Sequence, residues 1–195
     1  LNSGELGKVQ SVTFKYNNGI LNTGSHAFDL IRMFFGDIRS VKYSNQIIYD
    51  RDEDPSLSLS VKSESGVRID LLALDQRDFR IFELDIIGTK SRIVIHNGYT
   101  TDFYSVSESP YNSEFMILSK KETPFIKGRI DHYERSILNI IESIENNESL
   151  LCAGIDGKKS LEASIAACIS YEVGEEVSLP VDKYYSHKEV RDIVL

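Results

Sequence analysis

The chain has 195 residues, of which 41% are hydrophobic, and this is enough for one sizeable core. Its 22 basic and 30 acidic residues give a net charge of −8, which argues against binding to the phosphate backbone of nucleic acids. No segment reaches the roughly 20 apolar residues that cross a bilayer. Cys152 and Cys168 form no CxxC pair and have no histidine at metal-ligand spacing. We therefore expect no metal site, reduced thiols and a cytoplasmic location.

The first predicted elements are a strand and a helix. Residues Val9 to Tyr16 alternate apolar and polar side chains, which predicts a strand. Gly24 and Ser25 then break the chain, with Ser25 as a candidate helix cap. The helix is indicated by apolar residues at helical spacing, and Gly36 ends it; these residues are Ala27, Leu30, Ile31 and Phe34.

This helix carries the candidate catalytic residue. His26 is predicted in the first turn, where the positive end of the helix dipole disfavours the imidazolium form, and a neutral imidazole suits a general base. Asp29 lies three residues on, on the same face, and Asn22 precedes the turn. The alternative is that His26 is a capping or half-buried packing residue, which is the usual role of a lone histidine at a helix start.

The middle of the chain reads as a run of strands. Alternating apolar residues predict strands over 39–49, 57–61, 67–73, 79–87, 92–96 and 99–106, joined by tight turns. The acidic loop Asp50 to Asp54 has an alternate spacing of aspartates, but Pro55 stands where a calcium loop needs glycine, so we expect a solvated turn. His96 has no acidic neighbour in the sequence and is taken as structural.

Two more helices complete the predicted fold. Asp131 is expected to start one of them, whose apolar face should cover the sheet; this face comprises Tyr133, Ile137, Ile140, Ile141 and Ile144. The last helix is predicted from about Gly157 to Val173, capped by Asp156, with Leu161, Ile165, Cys168 and Ile169 inward. The predicted fold class is α+β, an open and predominantly antiparallel sheet with helices packed on one face.

The segment NGILNTGSHAFD, residues 18–29, resembles the GGxxxDxGxHxxD signature of the Gfo/Idh/MocA C-terminal domain. Gly24, His26 and Asp29 match that signature, whereas Asn22 stands in place of its aspartate and the leading glycine pair is reduced. The phrase FELDIIGTKSRIVI is similar to a second landmark of the family, with Ser91 for its second glycine. The resemblance implies one C-terminal α+β domain over residues 1–179, with residues 180–195 as its tail.

The resemblance also implies a function. Members of this family are NAD(P)-dependent oxidoreductases, and the parent protein is expected to oxidise a secondary alcohol of a sugar, polyol or related small molecule. His26 would be the catalytic acid or base, and Asn22 and Asp29 would bind or position substrate. The sequence contains no G-x-G-x-x-G turn, so NAD or NADP would be bound mainly by an N-terminal domain, and this fragment alone would be inactive.

An alternative reading is a non-catalytic dimerisation or ligand-sensing module of the same family. An open sheet with helices on one face leaves its other face available for a second copy, so a homo-oligomer through the open sheet face is the expected assembly. The replacement of an aspartate by Asn22 supports this alternative, because an amide binds a hydroxyl group but carries no proton.

Overall fold

The computed structural model describes residues 4–48, 54–97, 100–122 and 132–181, and its framework is an open sheet. The strands are β1 (Val9–Tyr16), β2 (Ile38–Ile48), β3 (Ser56–Ser63), β4 (Arg68–Ala73), β5 (Phe82–Gly88), β6 (Ser91–His96), β7 (Thr100–Glu108), β8 (Met116–Lys121) and β9 (Glu176–Ser178). The α-helices are α1 (Gly24–Phe35), α2 (His132–Asn146) and α3 (Gly154–Val173).

Within the described residues the sheet has nine strands in the order β8-β7-β6-β5-β1-β4-β3-β2-β9. Neighbouring strands are antiparallel except β1 and β4, which are parallel. The parallel pair arises because α1 carries the chain from β1 across to β2. The antiparallel strands β2, β3 and β4 then lead back through the sheet, so that β4 lies beside β1 and runs in the same direction. The predicted α+β class with a mainly antiparallel sheet is confirmed.

The core lies between one face of the sheet and helices α1 and α3. Val12, Phe14 and Tyr16 alternate along β1 and are at most 2% exposed, whereas the residues between them face the other side of the sheet. The Tyr16 hydroxyl donates to the Leu57 carbonyl at 2.9 Å and accepts from the Leu57 N–H at 2.8 Å. The hydroxyl oxygen, which is the only polar atom of this buried side chain, is therefore hydrogen-bonded, and the Tyr16 ring contributes its full apolar area to the core.

Helix α3 packs through small side chains. Its buried face is built largely from alanine and serine, including Ala163, Ser164, Ala166 and Ala167, with Cys168 and Ile169. The inward positions of Cys168 and Ile169 are confirmed, but Leu161 is 51% exposed, so its predicted inward position is wrong. The reason is steric, because small residues let α3 approach α1 closely and leave the larger Leu161 outside.

Helix α2 forms where its periodicity predicts it, but its apolar face does not cover the sheet. That face is exposed, from 44% for Ile141 to 83% for Tyr133. The predicted start at Asp131 lies outside the described residues. Amphipathic spacing shows that a face needs a partner without showing which partner, and this explains the error.

The ends of the described segments bear on two further predictions. Of the acidic loop, Asp54 lies within the described residues, and it has a structural role at α1. Of the tail, Pro180 and Val181 are described, and the Val181 N–H donates to the Glu162 carboxylate at 3.0 Å. The rest of both segments lies outside the described residues.

Candidate functional site

The helical element that contains α1 begins earlier than the sequence suggests. A π-helical turn, Gly19–Thr23, runs directly into Gly24, and the Ser25 hydroxyl donates to the Asn22 carbonyl at 2.6 Å instead of capping a free helix end. His26 therefore lies about two turns after the first helical residue. The prediction that it sits among unsatisfied N–H groups in the first turn is wrong, because the π-turn adds residues ahead of it.

The N–H groups at the true start of this element all have acceptors from the segment just before or within β3. The Asp54 carboxylate accepts from the N–H groups of Leu21 at 2.9 Å and Asn22 at 3.0 Å. Gly19 donates to the Ser56 hydroxyl and Ile20 to the Pro55 carbonyl, both at 2.9 Å. An anion from within the chain already occupies the site that a helix N-terminus offers to a ligand.

Asn22 and His26 share one exposed face of this helical element. They are four residues apart, so their side chains project from neighbouring turns, and both are exposed. Met33 continues the same surface two turns later and is 66% exposed. This face therefore presents an amide and an imidazole to whatever packs or binds above α1.

Asp29 is turned toward α3. Its carboxylate accepts from the Ser160 hydroxyl at 3.3 Å and lies 3.6 Å from the Arg32 guanidinium. Among the described residues, no hydrogen bond or ion pair joins Asp29 to His26. The structure thus brings Asn22 and His26 together and places Asp29 at the boundary between the two helices.

Arg32 is the centre of that boundary. Its side chain is 9% exposed and donates to Asp37 at 3.0 Å, to the Asp156 carboxylate at 3.1 Å and to the Asp156 carbonyl at 3.0 Å. Hydrogen bonds from Lys159 and then from Arg32 hold the pKa of Asp37 below its usual value. A cavity of about 250 Å³ beside this cluster is lined in part by Arg32, Asp37 and Lys159, which already pair with one another, so we assign it a structural role.

A larger cavity lies at the start of the helical element. It has a volume of about 380 Å³ and is lined by polar side chains together with Ile81 and Phe82; the polar ones are Asn17, Asn18, Thr23, Arg80 and Asn97. Thr23 is three residues before His26 and next to Asn22 in the chain, so the cavity lies within about one helical turn of both residues. Amide, hydroxyl and guanidinium groups together suit a small polar ligand.

Asn17 shapes the wall of this cavity. It is 2% exposed, and its amide nitrogen donates to the Phe79 carbonyl at 2.6 Å while its oxygen accepts from the Ile81 N–H at 3.2 Å. The next residue, Asn18, has a left-handed backbone with φ 74° and ψ 37°. Asparagine tolerates that conformation better than other residues with a side chain, so Asn18 can stand where the family signature has glycine.

Sequence reasoning missed this cavity. Its residues come from three separate segments that the sheet brings together, and no local motif joins them. The available signal was the Asn-Asn-Gly run of residues 17–19, which is typical of left-handed backbone and of side-chain hydrogen bonds to the main chain.

His96 lies on the open face of the sheet between two carboxylates. Its Nδ1 is 2.9 Å from Glu83 and its Nε2 is 3.3 Å from Asp102, and Asp102 also pairs with Lys120 at 2.7 Å. The hydrogen bond with Glu83, and then that with Asp102, raises the pKa of His96 above its ordinary value. The prediction that His96 has no acidic neighbour is wrong, because both acids come from adjacent strands.

Within the described ranges, no group of three or more histidine, cysteine, aspartate or glutamate side chains is arranged to hold a metal ion. Over the same part of the chain, no helix combines the length and apolar character needed to span a membrane.

Comparisons with known proteins agree with this architecture. A family model described as "Oxidoreductase family, C-terminal alpha/beta domain" matches residues 1–179. No curated protein matches the sequence. Similar solved structures include a provisionally named NADPH-dependent oxidoreductase from Desulfitobacterium hafniense, at 14% identity and a TM-score of 0.74, covering 91% of this chain and 59% of that one.

Two further solved structures contain bound molecules. A levoglucosan dehydrogenase in complex with NADH and levoglucosan has 15% identity and a TM-score of 0.71, covering 92% of this chain and 61% of its own. The WlbA dehydrogenase from Bordetella pertussis, in complex with NADH and UDP-GlcNAcA, has 16% identity and a TM-score of 0.66, covering 93% and 58%. At these identities the likeness shows the fold, and the chain spans about 60% of the length of these proteins.

Proposed function

The chain belongs to the oxidoreductase family of Gfo/Idh/MocA type through its C-terminal alpha/beta domain, and we propose that it binds substrate and supplies the acid or base for an NAD(P)-dependent oxidoreductase. The substrate class is a sugar, polyol or related small molecule with a secondary alcohol. The observation that carries this proposal is the exposed pair of Asn22 and His26 beside a polar cavity of about 380 Å³.

His26 is the proposed catalytic residue. Oxidation of a secondary alcohol removes a proton from the hydroxyl group and a hydride from the carbon. A neutral imidazole on an exposed helix face can accept that proton directly from a bound alcohol. Asn22, one turn earlier, offers a donor and an acceptor that orient the same hydroxyl or its neighbour, but it carries no proton.

Asp29 is proposed as a positioning residue for the substrate-binding face. Its contacts with Ser160 and Arg32 tie α1 to α3 one turn after His26. Because α3 packs against the sheet, this tie fixes the height and tilt of the face that carries His26. A positional error of about 1 Å is enough to reduce catalysis strongly.

The residues of this chain do not fit a dinucleotide. A dinucleotide site needs a Gly-rich turn and free N–H groups at a helix N-terminus for the pyrophosphate. The sequence has no such turn, and the Asp54 carboxylate fills the start of the α1 element. We therefore propose that NAD or NADP is held mainly by a separate N-terminal domain of the full-length protein.

The exposed apolar face of α2 is the proposed docking surface for that domain. Ile137 and Ile144 are each more than half exposed on one face, and an exposed apolar stripe of this kind marks an interface. The similar dehydrogenases bound to NADH are longer than this chain, which covers 61% and 58% of them. The additional part of such a protein is the occupant we propose.

A second candidate is a non-catalytic module that dimerises through the open sheet face or senses a ligand. The open face carries two groups of ion pairs, which favour an ordered and specific interface there. One group joins Lys120, Asp102, His96 and Glu83, and the other joins Arg92 and Asp85. Such charges give register and specificity to an interface more than affinity. A second copy of this chain, forming a homo-oligomer, is the partner proposed for this face.

The two candidates differ in turnover. The full-length protein, incubated with NAD or NADP and a panel of sugars and polyols, is expected to produce reduced nicotinamide with at least one of them. Binding of a sugar without any reduced nicotinamide, for every member of the panel, would favour the sensing module instead.

A further inference from the structure

The cavity near His26 is lined by one arginine among its described residues. Arg80 is exposed at its wall and is the charged member of the described residues that line it. The other lining groups are neutral amides, a hydroxyl and two apolar side chains. A single cation in a neutral polar cavity creates a local preference for an anion in a protein whose net charge is −8.

Arg80 has no acidic partner among the described residues, whereas several other arginines do. Arg32, Arg68, Arg77 and Arg92 each pair with an aspartate. Within the part of the chain that the structure describes, no carboxylate lies within ion-pair distance of Arg80. The contrast is sharpest with Arg77 on the same loop, which donates from Nε to both oxygens of Asp75 at 2.9 and 3.0 Å.

The backbone around Arg80 is held in place by one buried amide. Asn17 binds the carbonyl of Phe79 on one side of Arg80 and the N–H of Ile81 on the other, at 2.6 and 3.2 Å. The Phe82 N–H in turn donates to the Asn97 side chain at 3.1 Å. The backbone of this short loop is fixed on both sides of Arg80, so the backbone has little conformational freedom left to lose on binding.

We propose that the substrate of this site carries an anionic group, a carboxylate or a phosphate, that Arg80 binds through its guanidinium fork. The planar fork matches both groups with paired hydrogen bonds. Thr23 and Asn97 supply the hydroxyl and amide chemistry that binds the sugar hydroxyls of the same molecule. This inference rests on the proposed function, since it names the substrate class of the site that His26 serves.

The test compares three sugars that differ only at C6: glucose, glucuronate and glucose 6-phosphate. Their dissociation constants are measured by calorimetry on the full-length protein and on two variants, Arg80→Gln and Arg77→Gln. Charge-assisted hydrogen bonds predict that one of the two anionic sugars binds about 10- to 100-fold more tightly than glucose. Arg80→Gln is expected to remove that preference, whereas Arg77→Gln, which alters an arginine already paired within the loop, leaves it intact.

The comparison of glucuronate with glucose 6-phosphate shows whether the site prefers a carboxylate or a phosphate, because the sugar that binds more tightly carries the preferred group. Equal binding of all three sugars, binding of none, or a preference that survives Arg80→Gln would overturn the inference. Turnover of neutral sugars with no dependence on Arg80 would overturn it and leave the proposed oxidoreductase intact. Tight binding that depends on Arg80 without turnover of any sugar would instead uphold the anion site and overturn the enzymatic proposal.

Discussion

The Asp54 carboxylate accepts a hydrogen bond from the Asn22 N–H at 3.0 Å, so an acid just before β3 holds the start of the helical element that carries His26. The same carboxylate accepts from Leu21 at 2.9 Å. The contact also explains Gly19, where a Cβ would lie 2.0 Å from an Asp54 oxygen and φ is 87°. The start of the candidate site is thus built around one aspartate.

We predict that Asp54→Asn lowers the free energy of unfolding by about 1–2 kcal/mol, because an amide replaces one of two acceptors with a donor and removes the favourable charge at a helix start. Urea denaturation of the chain measures this. Asp70→Asn is the matched control, because Asp70 pairs with Arg68 on the exposed surface. A loss for Asp54→Asn no larger than that for the control would contradict the assigned role.

Arg32→Met is expected to lower the free energy of unfolding by about 2–4 kcal/mol. The guanidinium group that it removes is 9% exposed and pairs with both Asp29 and Asp156. Arg68→Met should change the unfolding free energy by less than about 0.5 kcal/mol, since its ion pair is exposed. Denaturant curves of the two variants, measured side by side, provide the comparison. Similar losses in both would show that Arg32 does not join α1 to α3.

His96 should make stability depend on pH in a defined direction. Its folded pKa is raised above the ordinary value of 6.5, chiefly by Glu83. The stabilising contribution is therefore fully present below the unfolded pKa and is lost as the pH rises through the folded pKa. The difference in melting temperature between the wild type and His96→Gln should be larger near pH 6 than near pH 9. An NMR titration that gives His96 a pKa below 6.5 would refute this prediction.

Ile141→Asp on α2 should leave the stability of this chain almost unchanged, within about 0.5 kcal/mol, because the side chain is 44% exposed. In the full-length protein the same change should lower the melting temperature, since it places a charge in the proposed domain interface. Glu145→Gln, on the same helix, is the control in both proteins. A large loss in the chain alone would mean that α2 packs on its own sheet, as the sequence suggests.

The sequence predicts β1 to β7 and the class of the fold, because alternation along β1 and helical spacing in α1 are local patterns, but it does not predict β8 or β9. It fails where the structure depends on neighbours from distant segments. The acids beside His96 come from other strands, and Asp54 reaches the start of the α1 element from another loop. Arg80 lines the cavity where Asn17 binds the backbone of Phe79 and Ile81 on either side of it. The resemblance identifies His26 as the candidate residue, but the setting of that residue required the structure.

Substitution of His26 in the full-length protein tests the central claim most directly. With a sugar or polyol that the wild type oxidises, His26→Ala should reduce kcat by about 10²- to 10⁴-fold, the usual contribution of a general acid or base, with little change in KM. Met33→Ala, on the same exposed face and 66% exposed, should leave both constants unchanged. A kcat for His26→Ala equal to that of the wild type would contradict the assignment of His26 as the catalytic residue.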